Sequence, residues 1–471
     1  MRAFSLALAL AVCAPAANVD WPQFRGPNGS GVAEAQELPE EFGPERNLIW
    51  RKELPPGFSS PVLTERHVYV TAHDGPKLWT ICLDRTTGGE LWRKESPKSL
   101  DQKPKGPNSP VSPSPATDGE NVYAFFEAYG LVSYAADGTE RWREPLGPFN
   151  TPYGLGGSPI VSGDTLLLLC DQDTGSFLLA VDKDSGRERW RVDRPSATHG
   201  FSSPVIFQPE GGEPQVVVSG SFQLAAYSLP AGKKVWWVDG MAWQAKSTPL
   251  VADGVIYVHS WMASPAEMGF PSKTPPFPEM LAKYDEDEDG RLSKRETPDK
   301  EIVEYWFLFD LDKDGYLTSL DWKAYRARGD AKNGLYAIRP EGAGDITKKA
   351  VLWRHERALP NIPSPLLYDG VLYVLKEGGI LTALDPASGA VLKQGRVEGA
   401  VDGYFASPVA AGGRIYTLSQ EGKAAVLRAS ADWAVVRVNE MGEECWATPA
   451  IGGGRLYVRT QEALYCFGKG N

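Results

Sequence analysis

Short stretches of alternating apolar and polar residues recur along almost the whole chain, separated by turn residues. Two of them, from His67 to Val70 and from Leu78 to Asp84, are followed by Thr87-Gly88-Gly89 and a tryptophan. The same order of features recurs between Leu166 and Trp190. Alternation with a period of two predicts strands, and Gly-Gly, Asp-Gly and Ser-Gly pairs predict tight turns between antiparallel neighbours.

A serine or threonine that precedes a proline marks the start of each repeated unit. Eight residues have this place just before the first strand of a unit, namely Ser60, Ser114, Ser158, Ser203, Thr248, Ser364, Ser407 and Thr448. Their spacings are 54, 44, 45, 45, 116, 43 and 41 residues, so that one interval alone is oversized. A unit of this length with four strands cannot bury its faces alone, but it can do so against its neighbours in a ring. The sequence therefore predicts an all-β fold, an eight-bladed β-propeller, with an insertion in its fifth blade.

The two ends of the repeat predict how the ring closes. The unit that starts at Thr448 has only three strands, whereas residues 47–51 form a strand without earlier partners. We expect this strand to complete the last blade. Tryptophan occupies the fourth-strand position of six units, at Trp50, Trp92, Trp142, Trp190, Trp236 and Trp353, while Lys393 and Val435 replace it in the other two. We predict that these indoles pack between blades and donate their N–H to a neighbouring carbonyl.

This repeat resembles the pyrroloquinoline-quinone-like (PQQ-like) propeller repeats. They occur in quinoprotein dehydrogenases and in the propeller lipoprotein of the outer-membrane β-barrel assembly machinery. The resemblance covers about residues 46–260 and 331–471, and the leader from Asp20 to Pro27 is similar to the N-terminus of secreted members. The resemblance implies the propeller fold and raises two functions, a non-catalytic scaffold and a quinone-dependent oxidoreductase.

The N-terminus predicts export. Arg2 precedes an apolar run from Phe4 to Val12, and Ala14-Pro15-Ala16 offers a signal-peptidase site, so residues 1–16 are interpreted as a signal peptide. Lipid attachment at Cys13 is the less favoured alternative, because Val12 is a poor residue before a lipidated cysteine. No later apolar stretch is long enough to span a membrane. We therefore expect a periplasmic or extracellular protein without a transmembrane segment.

Composition narrows the range of partners. The chain has 471 residues, 42% of them hydrophobic, and a formal net charge of −11. An acidic chain of this kind has no general attraction for phosphate backbones, so no nucleic-acid partner is expected.

The oversized interval contains an acidic loop that predicts a calcium site. Residues 285–296 match the twelve-residue EF-hand loop. The expected oxygen donors are the carboxylates of Asp285, Asp287, Asp289 and Glu296 and the carbonyl of Arg291. Gly290 permits the sharp turn at the sixth position.

A second loop starts 25 residues later. Its expected donors are Asp310, Asp312, Asp314, the carbonyl of Tyr316, and Asp321. Because its twelfth residue is an aspartate, one methylene shorter than glutamate, we expect this second calcium site to be weaker. The eighth residues, Leu292 and Leu317, should share a short β-contact, and one helix with an apolar side is predicted over Ile302 to Phe309. The alternative, a solvated acidic linker, is less favoured because two loops fit.

No catalytic centre is visible in the sequence. In the quinoprotein enzymes a disulfide of adjacent cysteines packs against the quinone, but Cys82, Cys170, Cys445 and Cys466 are dispersed. PQQ is therefore not expected as a cofactor. A disulfide between Cys445 and Cys466 and buried free thiols are both compatible with the sequence, the second being favoured. Asp173-Thr174-Gly175-Ser176 matches an aspartic-protease tetrapeptide, but a single copy without its partner reads as a turn.

The residues just before each first strand should meet on one face around the channel mouth. They are aromatic in several units, at Phe58, Tyr153, His199, Phe201, Trp243, Tyr404, Phe405 and Trp446. Such a collar suits an extended peptide or a sugar, although these side chains can equally pack the blade edges.

The organisation predicted from these patterns has five parts. They are the signal peptide (1–16), an N-terminal extension (17–45), the first part of the propeller (46–260), an EF-hand pair (270–330) and the second part of the propeller (331–471). We expect a calcium-binding, non-catalytic scaffold with a protein or peptide partner at the propeller face. The alternatives are a PQQ-dependent oxidoreductase and a carbohydrate-binding propeller.

Overall fold

The computed structural model describes residues 21–102, 104, 106, 108–262 and 275–469. The predicted signal peptide, with Cys13, lies outside the described residues. Eight sheets of antiparallel strands form the blades of a β-propeller, seven with four strands and one with a fifth strand added in parallel at its edge, which confirms the predicted fold. No helix in the described part of the chain is long and apolar enough to cross a membrane.

The first four blades follow one another along the chain. Blade 1 is formed by β2 (Val62–Leu63), β3 (His67–Asp74), β4 (Lys77–Asp84) and β5 (Glu90–Glu95). Blade 2 is formed by β6 (Ala116–Thr117), β7 (Asn121–Phe126), β8 (Gly130–Ala135) and β9 (Glu140–Pro145). Blade 3 is formed by β10 (Ile160–Ser162), β11 (Thr165–Cys170), β12 (Phe177–Asp182) and β13 (Glu188–Asp193). Blade 4 is formed by β14 (Val205–Phe207), β15 (Gln215–Gly220), β16 (Gln223–Ser228) and β17 (Lys234–Asp239).

The other four blades contain the insertion and the closure. Blade 5 is formed by β18 (Leu250–Ala252), β19 (Val255–Ser260), β22 (Gly334–Ile338) and β24 (Val351–His355). Blade 6 is formed by β25 (Leu366–Tyr368), β26 (Val371–Lys376), β27 (Ile380–Leu384) and β28 (Val391–Arg396). Blade 7 is formed by β29 (Val409–Ala411), β30 (Arg414–Leu418), β31 (Lys423–Arg428) and β32 (Ala434–Glu440). Blade 8 is formed by β33 (Ala450–Gly452), β34 (Arg455–Arg459), β35 (Ala463–Gly468) and β1 (Leu48–Glu53).

Blade 8 joins the two ends of the described chain, as the sequence predicted. Strand β1 pairs antiparallel with β35, with Trp50 opposite Cys466 and Glu53 opposite Ala463. The ring is therefore closed by backbone hydrogen bonds between segments far apart in sequence.

The hydrophobic cores lie between neighbouring blades. Leu167 and Leu178 of blade 3, for example, pack in one buried cluster with Val216 and Ala225 of blade 4. Because each sheet presents apolar residues to both sides, no blade is stable without its neighbours.

The fourth-strand tryptophans link each blade to the next. Five of the six indoles donate to a main-chain carbonyl of the following blade at 2.8–3.1 Å, as predicted. The prediction was wrong for Trp236, whose Nε1 donates to Gln215 Oε1 of its own blade at 2.8 Å. Blade 5 lacks the usual turn at this place, because a longer connection contains β23 (Gly344–Asp345), which pairs parallel with β17, and helix α4 (Thr347–Ala350). Lys393, which stands in place of the tryptophan in blade 6, makes the equivalent contact to the next blade, since its Nζ donates to Trp433 O at 2.7 Å.

The insertion lies between β19 and β22 of blade 5. It contains α1 (Phe277–Tyr284), β20 (Leu292–Ser293), α2 (Lys300–Glu304), a 3-10 turn (Trp306–Leu308), β21 (Tyr316–Leu317) and α3 (Ser319–Asp330). The predicted single helix between the loops is broken at Tyr305. The tighter 3-10 winding still buries Trp306 and Phe309, three positions apart, on one side.

The N-terminal segment, residues 21–33, crosses one end of the central channel. It hydrogen-bonds to five blades, accepting from Leu63 N and Thr117 N and pairing with Ile206, Pro365 and Ala410. Arg25, at its centre, is fully buried.

Candidate functional site

The eight Ser and Thr residues that define the repeat meet around the channel axis. Seven of the eight neighbouring pairs are joined by a hydrogen bond of 2.8–3.0 Å, from the main-chain N–H of one residue to the hydroxyl of the next. The chain of bonds passes from Thr448 back to Ser60 and so crosses the closure of the propeller. We call these eight Ser and Thr residues the hydroxyl ring. Their hydrogen bonds explain why serine or threonine recurs at this position, since a side chain without an acceptor would leave a buried N–H unpartnered.

A cavity of about 370 Å³ lies at this ring, with five of the eight Ser and Thr residues in its wall, among them Ser60, Ser158 and Thr448. Its wall contains Phe58, Tyr153, Phe201, Phe405 and Trp446 of the predicted collar. Phe58 and Trp446 stack with their ring centroids 4.6 Å apart, and Phe405 lies 4.3 Å from Trp446. We call this cavity the funnel.

Three residues of the predicted collar are not part of the funnel wall. His199, Trp243 and Tyr404 are buried behind it. His199 Nδ1 is hydrogen-bonded to Asp173, and its Nε2 lies 2.8 Å from Gln244 Nε2. This network holds the Gln244 amide at the funnel wall. The packing alternative therefore applies to these three residues.

The sequence analysis missed the polar groups of the funnel. Lys246 is the charged residue among those that line it, and its Nζ donates to Asn361 Oδ1 at 2.6 Å. Burial lowers the pKa of Lys246 to about 8, while the carboxylate of Glu377 opposes this shift. Lys246 lies two positions before Thr248 of the hydroxyl ring, and this spacing was the signal that could have identified it.

The bottom of the funnel is formed by the N-terminal segment. Phe24 lines the cavity. Beside it, Arg25 donates to the carbonyl oxygens of Gly29, Ser30, Ser364 and Pro365 at 2.7–3.3 Å. Burial lowers the pKa of Arg25 to about 9.

The first acidic loop brings its three aspartates together. Oxygens of Asp285, Asp287 and Asp289 lie within 4.8 Å of one another. Asp285 accepts from Gly290 N at 3.0 Å, and Gly290 has φ +79°, which its lack of Cβ makes accessible. Glu296 accepts from Glu286 N and Ser293 N, and the hydrogen bonds from Ser293 lower its pKa to about 2.

Arg291 has a separate position in this loop. Its side chain forms an ion pair with Asp289 at 2.7 Å and lies 3.8 Å above the ring of Tyr316 in the second loop. Because the Arg291 side chain is positively charged and held in these contacts, the main-chain carbonyl remains the predicted calcium ligand of this residue.

The second loop repeats the arrangement. Oxygens of Asp310, Asp312 and Asp314 also lie within 4.8 Å of one another. Asp321 accepts from Leu311 N at 3.0 Å and from Thr318 N at 2.8 Å, and burial raises its pKa. The two loops are joined by the predicted β-contact, in which Leu292 pairs with Leu317.

The insertion packs directly on the propeller beside the funnel. Asn150 Nδ2 donates to Leu311 O of the second loop at 2.7 Å. Arg328 of α3 lies 3.3 Å above the indole of Trp243 and donates to Leu308 O. Tyr153 of the funnel wall contacts Phe307 edge to face, with 6.4 Å between ring centroids.

Two further sequence patterns have structural roles. Asp173 to Ser176 form the connection between β11 and β12, with Gly175 at φ +74°, so the turn interpretation is confirmed. Cys82, Cys170, Cys445 and Cys466 are buried free thiols, and burial raises the pKa of Cys445 to about 12. The favoured free-thiol alternative is thereby confirmed over the disulfide.

Comparison of the sequence with known proteins identifies the family of the chain. The model of the family described as outer membrane protein assembly factor BamB matches residues 45–172 and 174–468. BamB of Yersinia pestis is 24% identical over 279 residues, which cover 54% of this chain and 60% of the relative. The chain thus aligns with less than two thirds of that relative's length.

Solved structures share the fold at low sequence identity. BamB of Moraxella catarrhalis has a TM-score of 0.56 at 12% identity, covering 89% of this chain and 99% of its own. The quinohemoprotein alcohol dehydrogenase of Comamonas testosteroni has a TM-score of 0.57 at 13% identity, covering 96% of this chain and 81% of its own. These likenesses are of fold, whereas the match of the family model extends over most of the sequence. The chain therefore belongs to the family of the outer membrane protein assembly factor BamB, as a PQQ-like β-propeller.

Proposed function

We propose that this protein is a calcium-binding, non-catalytic scaffold of the periplasm or the cell exterior that holds a protein partner at its propeller face. The observation that carries the calcium part is the pair of carboxylate clusters, each within 4.8 Å, on loops joined by the β20–β21 pairing. A hard cation takes six to eight oxygen ligands, which aspartates on a tight loop can provide together with a terminal carboxylate and a main-chain carbonyl.

The hydrogen bonds of the second loop to the propeller support a role for calcium beyond the insertion itself. The Leu311 carbonyl, next to Asp310, is held by Asn150 of the propeller. Binding that orders the loop would therefore also restrain the segment that leads to Tyr153 of the funnel wall.

The scaffold part rests on the family and on the funnel. The name of the relatives, an outer membrane protein assembly factor, describes work on other proteins, and we infer a protein partner for this chain as well. The funnel has an aromatic wall that exposes apolar surface, as protein-binding sites do. The quinone-dependent alternative is less well supported, since the cysteines of the described chain are dispersed and buried.

A calorimetric calcium titration of the chelator-treated full chain tests the calcium proposal. We expect two sites with dissociation constants between micromolar and millimolar, the second weaker. Asp285→Ala should remove the first site and Asp310→Ala the second, each leaving the other intact. Absence of heat together with an unchanged melting temperature would refute calcium binding.

Cell fractionation tests the proposed location. Recovery of a shortened, unlipidated mature chain in the periplasm or medium is the expected result, and retention in the cytoplasm would refute it.

A further inference from the structure

The funnel has an unusual distribution of charge for so acidic a protein. The chain carries a net charge of −11, yet the residue with a charged side chain among those lining the funnel is a lysine, Lys246. No carboxylate in the described part of the chain lies within ion-pair distance of its Nζ. Glu377, whose carboxylate opposes the lowering of the Lys246 pKa, instead accepts the main-chain N–H of Asn361 at 2.9 Å.

Two further cations lie buried next to the hydroxyl ring. Arg459 is fully buried and donates to Ser59 O and Oγ, Thr71 O and Pro55 O, just as Arg25 donates to carbonyls. Neither guanidinium has a carboxylate partner among the described residues. Burial and, to a smaller degree, the charges of Lys246 and Arg25 lower the pKa of His259 to about 3. Both cations therefore act on this common neighbour.

A cation without an ion-pair partner in a low-dielectric wall concentrates positive potential in the cavity that it lines, and the two buried guanidinium groups beside the hydroxyl ring add to that potential. The funnel thus attracts an anion that the rest of this acidic protein's surface repels. Lys246 has three N–H donors, of which Asn361 takes one, so donors remain for a carboxylate.

The shape of the funnel selects the end of a chain over its middle. The N-terminal segment crosses the far side of the channel, bonded to five blades, and Phe24 forms the bottom of the cavity. A polymer chain therefore cannot pass through the channel at this end, which favours the terminus of a chain as the occupant of the funnel. The volume of about 370 Å³ lies in the range of ordinary ligand pockets, about 300–1,000 Å³.

We propose that the funnel binds the free C-terminal carboxylate of a polypeptide, with Lys246 and Asn361 at the carboxylate and the aromatic wall around an apolar last side chain. Capture of chain termini is a recurrent mode of peptide recognition. The proposal rests on the proposed protein-binding function and names the part of the partner that is recognised.

The wall favours a peptide over an acidic sugar. Sugar binding uses open aromatic faces, but Phe58 and Trp446 are stacked on each other with 7° between their planes. The remaining wall combines apolar side chains, such as Phe201 and Ile362, with the amides of Asn108 and Gln244. Side-chain amides suit the N–H and C=O groups of a peptide backbone.

Fluorescence anisotropy with defined peptides tests the proposal. The probes are fluorescein-labelled Ala-Ser-Phe and Ala-Ser-Leu, each as the free acid and as the C-terminal amide, together with labelled trigalacturonate. We expect the free acids to bind at least about tenfold more tightly than the amides, because the amide carries no charge for Lys246. Lys246→Met should remove this difference, whereas Lys348→Met, an exposed lysine on α4, should preserve it.

Three results would overturn the proposal. They are equal binding of acid and amide, no binding of any free acid at millimolar concentration, and Lys246-dependent binding of trigalacturonate without binding of the peptides. Each titration is run with calcium and with chelator. If calorimetry shows no calcium site but the free acids still bind more tightly than the amides, the calcium part of the proposed function fails and the binding of a C-terminal carboxylate stands.

Discussion

At the scale of single residues, the twelfth position of the two acidic loops shows how the same fold accommodates side chains that differ by one methylene group. Glu296 binds the N–H groups of Glu286 and Ser293, and Asp321 binds the equivalent groups of Leu311 and Thr318. The shorter side chain reaches the same donors, and only 2% of the Asp321 surface is exposed. The two loops therefore have the same internal hydrogen-bond pattern at this position, although their side chains differ in length.

Exchanging these two residues should reverse the order of the two calcium affinities. Glu296→Asp is expected to weaken the first site about tenfold, because aspartate is one methylene shorter and brings both carboxylate oxygens to the ion less readily than glutamate does. Asp321→Glu should strengthen the second site for the converse reason. Calorimetry on both variants measures this, with each unaltered loop as the internal control. If Asp321→Glu weakened its own site, burial and not side-chain length would control that affinity.

At the scale of the structural elements, the turn before the fourth strand of five blades is fitted to the tryptophan of the preceding blade. Gly186 has φ +73°, and a Cβ placed on it would lie 2.6 Å from Trp142. Gly88, Gly138, Gly232 and Gly389 meet Trp50, Trp92, Trp190 and Trp353 in the same way. The Ser-Gly and Gly-Gly turns of the sequence are thus contact sites as well as turns.

Replacing one of these glycines with alanine distinguishes its role in the contact with tryptophan from its role in the conformation of the turn. Gly186→Ala should lower the free energy of unfolding by about 2–4 kcal/mol, since it combines an unfavourable φ with a displaced indole. Gly163→Ala is the matched control, because Gly163 has φ +60° but nothing within 4 Å of the added Cβ. It should cost only about 1 kcal/mol. Denaturant titration of both variants gives the difference, and equal losses would contradict an interblade role for the turn.

The sequence predicted those elements whose cause is local or repeated. Blade number, the closing strand β1 and the tryptophan positions follow from period, turn chemistry and register. The partner of Trp236 could not be predicted, because it depends on the connection that carries β23. Lys246 was missed for a related reason. Its significance depends also on Arg25 and Arg459, which are buried beside the hydroxyl ring although they come from opposite ends of the sequence.

At the scale of the whole molecule, the insertion and the propeller behave as one packed unit. Arg328 is the central contact, with 2% of its surface exposed and its guanidinium on the Trp243 indole. A buried cation stacked on tryptophan contributes up to about 2 kcal/mol.

Removing this contact should uncouple calcium binding from the stability of the propeller. In the unaltered protein, calcium is expected to raise the temperature of a single unfolding transition. In Arg328→Met we expect a lower-melting, calcium-dependent transition of the insertion, separate from a propeller transition that no longer responds to calcium. Arg326→Met, exposed on the same helix, serves as control. Scanning calorimetry distinguishes these cases, and an unchanged single transition in Arg328→Met would contradict the coupling.

The closure of blade 8 has a consequence for the order of events during synthesis. Arg51 of β1 and Tyr465 of β35, which are hydrogen-bonded in the folded protein, are separated by 414 positions. When β1 leaves the ribosome, its partner strand has not been made, and it presents an unpaired edge until nearly all of the chain has followed. Contacts at such separation form slowly, and unpaired edges invite association with other chains. Strand β1 therefore stays without its partner until β35 arrives, and a chain that ends before β35 would leave the ring open.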